Sequence, residues 1–128
     1  MDAFDFVIIG AGPAGEAAAF KARELGASVA VIDRLWFGGS CPHIGCLPSK
    51  SLLDGATRHA RNPATYDWAA ASAQRDYMVN RPADAAEPDD SGHVRGLEDA
   101  GAVVFRGTGT IVDRGRVNAT HDAASHVL

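Results

Sequence analysis

An α/β fold that opens with a parallel βαβ unit is the architecture this sequence predicts, and three observations predict it. Phe4-Asp5-Phe6-Val7-Ile8-Ile9 is a short apolar, β-branched run and reads as a buried parallel strand. It passes straight into Gly10-Ala11-Gly12-Pro13-Ala14-Gly15, a G-x-G-x-x-G turn between strand and helix. A second apolar run, Ser28-Val29-Ala30-Val31-Ile32, comes after that helix and ends at Asp33.

Each element has a physical reason. Gly10 permits the tight turn, Gly12 lets a diphosphate approach the backbone, and Gly15 lets helix and strand pack closely. The helix is expected over Ala14 to Leu25, with Ala17, Ala18, Ala22 and Leu25 toward the sheet and Gly26 as the stop. Its free N–H groups and dipole favour an anion at its start. Asp33 lies 18 residues after Gly15, where an acid that binds a ribose hydroxyl is expected about 20 residues on. The ordered set predicts a dinucleotide site. It does not separate FAD from NAD, and the acid argues against a 2′-phosphate. The plain alternative is a ligand-free tight turn with Asp33 as a strand-end cap.

Gly38-Gly39-Ser40-Cys41-Pro42-His43-Ile44-Gly45-Cys46-Leu47-Pro48-Ser49-Lys50 holds the chain's two cysteines and one of its two lysines. On a continuous helix, five positions put two side chains about 140° apart. Pro42 and Gly45 argue against such a helix. A bent segment could bring the Cα atoms within the roughly 4.4–6.8 Å of a disulfide. The stretch reads as a C-x4-C redox pair. A zinc site from Cys41, His43, Cys46 and His59 is the competing chemistry, but C-x-H-x2-C is not a usual finger spacing. Two cysteines are too few for an iron–sulfur cluster.

Beyond Pro48 a helix is expected, with Leu52, Leu53, Ala56 and Ala60 as its apolar positions and Asn62-Pro63 as its end. Tyr66 to Met78 predicts a further helix, Arg81 to Gly92 a mobile acidic loop, and His93 to Ala100 a short helix stopped by Gly101. Val103-Val104-Phe105 reads as a third buried strand. Thr110-Ile111-Val112 and Arg116-Val117-Asn118 flank Asp113-Arg114-Gly115 as a hairpin.

A length of 128 residues allows one domain, and 46% hydrophobic with 22% charged residues describes a globular chain. A net charge of −4 without a basic stripe excludes nucleic acid and an anionic membrane as expected partners. No apolar run reaches the roughly 18 residues of a membrane span. The acidic start Met1-Asp2-Ala3-Phe4-Asp5 is not a signal-peptide n-region, so a cytoplasmic location is expected. There, a lone close cysteine pair is more often catalytic or metal-binding than structural.

With both motifs in view, the chain resembles the N-terminal part of the FAD-dependent pyridine nucleotide-disulfide oxidoreductases. Val7-Ile8-Ile9-Gly10-Ala11-Gly12-Pro13-Ala14-Gly15 is similar to their FAD fingerprint. Gly38-Gly39-Ser40-Cys41 through Gly45-Cys46-Leu47-Pro48-Ser49-Lys50 is similar to their redox signature, and its Pro-Ser-Lys ending to the dihydrolipoamide dehydrogenase and mercuric reductase type. Pro42-His43 departs from the usual apolar residue and Asn. The resemblance implies a Rossmann-like FAD-binding βαβ core with inserted helices and a β-hairpin, residues 1–128 being an incomplete FAD/NAD(P)-binding domain. It also implies that NAD(P)H and dimerisation domains are missing, with a homodimer for the full-length enzyme. Little or no activity is then expected of the 128 residues themselves.

The resemblance further implies roles. Cys46 is the thiol facing the flavin, Cys41 exchanges with a dithiol or disulfide substrate, and Lys50 adds positive charge near the ring. Gly10, Gly12, Pro13, Ala14 and Gly15 would lie along the FAD diphosphate, with Gly39 and Ser40 approaching it. Asp33 would hold the adenosine ribose and the Gly109 backbone would contact the adenine, with Arg34, Cys41 and Gly45 as further cofactor-binding residues. His43 is expected to be a hydrogen-bonded bystander. The competing function is a non-catalytic flavin-binding module.

Overall fold

The computed structural model describes residues 2–62, 67–121 and 124–127. The chain divides into two compact units, one formed by 1–39 with 91–128 and the other by Ser40–Asp90.

The first unit contains a parallel sheet of β1 (Phe6–Ile9), β2 (Val29–Asp33) and β3 (Val103–Arg106), in the order β1-β2-β3. Register pairs Phe6 with Val29 and Ile9 with Ile32 on one side of β2, and Ala30 with Val103 and Asp33 with Arg106 on the other. Helix α1 (Pro13–Glu24) joins β1 to β2, and Gly26 follows it at φ +85°. Helix α5 (Ser91–Asp99) precedes β3. Ala11, Ala19, Val29, Val31, Phe37, Leu97 and Ala102 form one core cluster; Ala30, Ile32 and Ala119 form another.

Three sequence expectations change here. Of the three parallel strands, β2 is buried from Val29 to Ile32, with Asp33 half-buried, whereas Phe6, Ile9 and Val103 are 54%, 46% and 44% exposed, because β1 and β3 are the edges of this sheet among the described residues. The α1 side chain that buries completely is Ala19, with Ala22 half-buried, while Ala17, Ala18 and Leu25 are exposed. Gly15 sets that face: the helix touches the Gly10 backbone and the Ile8 side chain there, and positions 19 and 22 lie one and two turns further along. Finally, Ser91 and Gly92 belong to α5 rather than to the acidic loop.

After β3 the chain forms an antiparallel sheet of β4 (Thr108–Asp113), β5 (Arg116–His121) and β6 (Ala124–Val127). The expected hairpin is β4–β5, closed by Asp113 opposite Arg116, with Gly115 at φ +69° in its turn.

The second unit holds α2 (Ser40–His43), α3 (Cys46–Arg61) and α4 (Trp68–Met78). Helix α3 starts two residues before Pro48, which therefore sits inside its first turn. Its half-buried positions include Ser51, Leu52, Gly55 and His59, whereas Leu53, Ala56 and Ala60 are exposed. This face meets α4, where a Cβ at Gly55 would stand 3.6 Å from the Ala71 Cβ, an ordinary contact distance. Asp67 caps α4, its Oδ1 accepting the Ala69 N–H at 2.9 Å. Pro63 and Tyr66, named in the sequence reading, lie outside the described residues. The acidic segment after α4 is fastened: Asp89 N–H donates to the Asn80 carbonyl at 2.9 Å, and Pro88 is buried. No helix among the described residues is long and apolar enough to cross a membrane.

Candidate functional site

The G-x-G-x-x-G turn takes the geometry its glycines allow. Gly10 stands at φ +100°, and its N–H donates to the Ile32 carbonyl at 2.8 Å. A Cβ at Gly15 would collide with the Gly10 carbonyl oxygen, so only glycine lets α1 come this close to β1. Gly12 is the N-cap of α1 and Pro13 its first residue; no side chain caps the helix start. The Pro13-Ala14-Gly15 turn thus opens α1 with helix-terminal donors uncapped by any side chain, the arrangement that binds diphosphates.

A second turn lies against the first. Gly38 N–H donates to the Ala11 carbonyl at 2.7 Å. Gly39, at φ +73°, approaches so closely that a Cβ on it would stand 2.7 Å from the Gly12 Cα. Residues 35–39 are held from two further elements. Arg106 donates to the Leu35 carbonyl at 2.7 Å and lies 5.1 Å from the Phe37 ring centroid, a cation–π contact. From α5, the His93 ring packs on Gly38, and its Nδ1 is 2.8 Å from Glu16 Oε1. Sequence reasoning gave no role to Glu16, His93 or Arg106, since only the fold joins positions so far apart.

Asp33 ends β2 with both carboxylate oxygens engaged. Oδ2 accepts the Ala11 N–H and Oδ1 the Leu35 N–H, each at 2.8 Å. Beside it a cavity of about 400 Å³ is lined by Ile9, Gly10, Ile32, Asp33, Arg34 and Leu35 with Gly107, Thr108 and Gly109. A Cβ at Gly109 would stand 3.0 Å from Ile9 Cγ1 and 3.3 Å from Ile32 Cδ1, so glycine keeps that wall low. The sequence-derived set Gly10, Asp33, Arg34 and Gly109 is therefore brought to one cavity. An uncapped helix start, closely set glycines and this cavity fit a dinucleotide such as FAD.

In the second unit, α2 ends at His43, and the chain turns before α3 begins at Cys46. The turn is closed by Ile44 and Gly45 N–H groups, both donating to the Ser40 carbonyl, at 2.9 and 2.7 Å. A Cβ at Gly45 would stand 3.1 Å from that oxygen. The bend brings the cysteines together as free thiols, hydrogen-bonded to each other. That bond raises Cys41 above the ordinary thiol value, aided by burial and by Cys46's charge, while the Cys46 backbone and Lys50 pull the other way. Lys50 lies four residues after Cys46, on the same face of α3. His43 is buried at the end of α2 rather than held in a loop. Among the described residues no cluster of three or more His, Cys, Asp or Glu side chains could hold a metal, so Cys41, His43, Cys46 and His59 are not gathered into a zinc site.

Residues 4–127 match the family model described as pyridine nucleotide-disulphide oxidoreductase. The chain belongs to that family. Among relatives of this pyridine nucleotide-disulphide oxidoreductase chain, dihydrolipoyl dehydrogenase of Corynebacterium glutamicum is 49% identical over 53 residues, 41% of this chain and 11% of the relative. The enzyme of the same name from Chlamydia trachomatis is 51% identical over 55 residues, 43% and 12% of the two chains. The fold matches the HOCl-induced flavoprotein disulfide reductase RclA of Escherichia coli. Its Cu(II) complex gives a TM-score of 0.77 at 22% identity, covering 99% of this chain and 26% of that one. A second structure of the same reductase gives 0.75 at 25% identity, covering 95% and 25%. The chain thus spans about a quarter of the length of these solved structures. The pyridine nucleotide-disulphide oxidoreductases work with FAD and NAD(P)H.

Proposed function

We propose that this chain is the N-terminal part of the FAD/NAD(P)-binding domain of a flavin-dependent disulfide oxidoreductase of the dihydrolipoamide dehydrogenase kind. The carrying observation is the hydrogen-bonded Cys41–Cys46 thiol pair with Lys50 one helical turn on. Gly10, Gly12, Pro13, Ala14 and Gly15 would hold the FAD diphosphate, joined by Gly39 and Ser40. Asp33, Arg34 and Gly109 would hold the adenosine end. Bound FAD, with NAD(P)H, supplies or removes two electrons.

The chain's own chemistry is thiol–disulfide exchange. The Cys41 thiolate attacks one sulfur of the substrate disulfide, and the other sulfur leaves as a thiolate and takes a proton. Cys46 then attacks the mixed disulfide, releasing the second substrate thiol and closing Cys41–Cys46. With a dithiol substrate the same exchange runs backward. Lys50 favours the Cys41 thiolate, and Gly45 permits the bend that brings the two cysteines together. A homodimer and a cytoplasmic location complete the reading.

The test is the visible spectrum of the purified chain after FAD loading and removal of excess, before and after a stoichiometric dithiol. Retained flavin with a new long-wavelength band, lost in Cys46→Ser, is expected. Retained flavin without that band would reduce the chain to a flavin-binding module. No retained flavin would count against cofactor binding by these residues alone.

A further inference from the structure

Glu16 puts a carboxylate in the first turn of α1, where the preceding glycine turn would seat a diphosphate. A charge there opposes an anionic ligand at the same helix start. Its Oε1 lies 2.8 Å from Nδ1 of His93, which arrives from α5, 77 residues along the chain. Glu16 is mostly covered, with 16% of its side chain exposed against 34% for His93. The same imidazole lies on Gly38, where a Cβ would stand 2.6 Å from the ring. Gly38 in turn donates to the Ala11 carbonyl of the glycine turn at 2.7 Å. One side chain therefore meets both an acid that would repel a diphosphate and the second turn beside its seat.

We propose that His93 is a positioning residue for the dinucleotide: it holds the Glu16 carboxylate away from the diphosphate seat and backs the Gly38-Gly39 turn. This deepens the flavin-binding reading and rests on it. It concerns residues outside the G-x-G-x-x-G fingerprint and outside the cysteine motif. Glu16 stands on α1 and His93 on α5, and neither needs to touch the ligand.

The experiment measures FAD affinity of the full chain by equilibrium fluorescence for wild type, His93→Ala, Glu16→Gln, the double variant and His93→Asn. His93→Ala is expected to weaken binding roughly fivefold, the size of one carboxylate charge released near a helix start. Glu16→Gln added to it is expected to restore affinity to within about twofold, because the repelling charge is gone. His93→Asn, which keeps a donor near the Nδ1 position, is expected to stay close to wild type. A loss that Glu16→Gln does not restore, or no loss at all, overturns the proposal. Amide exchange of Gly38 in the ligand-free chain is the second readout. His93→Ala should speed it, and unchanged exchange overturns the proposal even if the wild type retains no FAD, an outcome that would by itself sink only the flavin reading.

Discussion

Asp33 and Ala11 meet at the end of the parallel sheet, the Asp33 Oδ2 accepting the Ala11 amide at 2.8 Å across 22 residues of chain. Together with the bond from Leu35, this makes Asp33 a fastener of two turns as well as an acid beside a cavity. Asp33→Ala leaves two amides without their acceptor. A loss of about 2 kcal/mol in unfolding free energy is expected, read from the denaturant midpoint. Asp33→Asn, which keeps one oxygen, should lose about half of that.

The glycines of the fingerprint separate into structural and ligand-facing positions. Gly15→Ala must push α1 off the Gly10 carbonyl, and about 2–3 kcal/mol of destabilisation is expected. Gly12→Ala meets only the Gly39 Cα, at 3.9 Å, so its stability should stay within about 1 kcal/mol of wild type. FAD affinity should instead fall, because the added methyl stands where a diphosphate would approach the backbone. Denaturant titration and flavin binding on the two variants check this pair.

Cys41 is held above the ordinary thiol value chiefly by its hydrogen bond with Cys46. Removing that partner should lower it and increase the thiolate fraction at a given pH. Cys46→Ala is therefore expected to shift the pH profile of Cys41 alkylation toward lower pH. Lys50→Ala is expected to shift the same profile upward, because Lys50 lowers the Cys41 value. Stopped alkylation with mass detection over pH 6 to 10 would read both.

The Asp5 carboxylate lies below its usual value, first because the Ser28 hydroxyl donates to it and second because the Ser28 amide does. A carboxyl depressed in the folded state adds stability above its unfolded value of about 3.9, and that addition drains away as pH falls through the lower folded value. Asp5→Asn should thus be less stable than wild type at pH 6 and converge on it toward pH 2.5. Urea midpoints across that range provide the check.

Local chemistry made much of this architecture legible. Gly10, Gly12 and Gly15 with the apolar runs on either side announced β1, α1 and β2, and Asp113-Arg114-Gly115 announced the hairpin. Gly45 forecast the break between α2 and α3, whereas Pro42 sits inside α2. What single positions could not reveal was sidedness. Whether Ala18 or Ala19 faces the sheet depends on where Gly15 touches β1, and whether Val103 is buried depends on its being an edge strand. Asp33 read as a ribose ligand, but its two hydrogen bonds to Ala11 and Leu35 come from a turn conformation that composition does not encode. Glu16 and His93 were silent for the same reason, since 77 residues separate two halves of one contact.

The unit that carries the cysteines, Ser40–Asp90, leaves the α/β unit after Gly39 and returns to it at Ser91. It is spliced into the crossover that joins β2 to β3, whose register sets Ala30 against Val103. The entropy of closing a flexible loop grows only with the logarithm of its length, about 0.6 kcal/mol for each doubling. The closure cost that the sheet bears therefore depends only weakly on how long the spliced piece is. The same splice sets the pace of assembly: β1 and β2 can pair early through a short helix, whereas β3 must wait for a distant stretch of chain to come home.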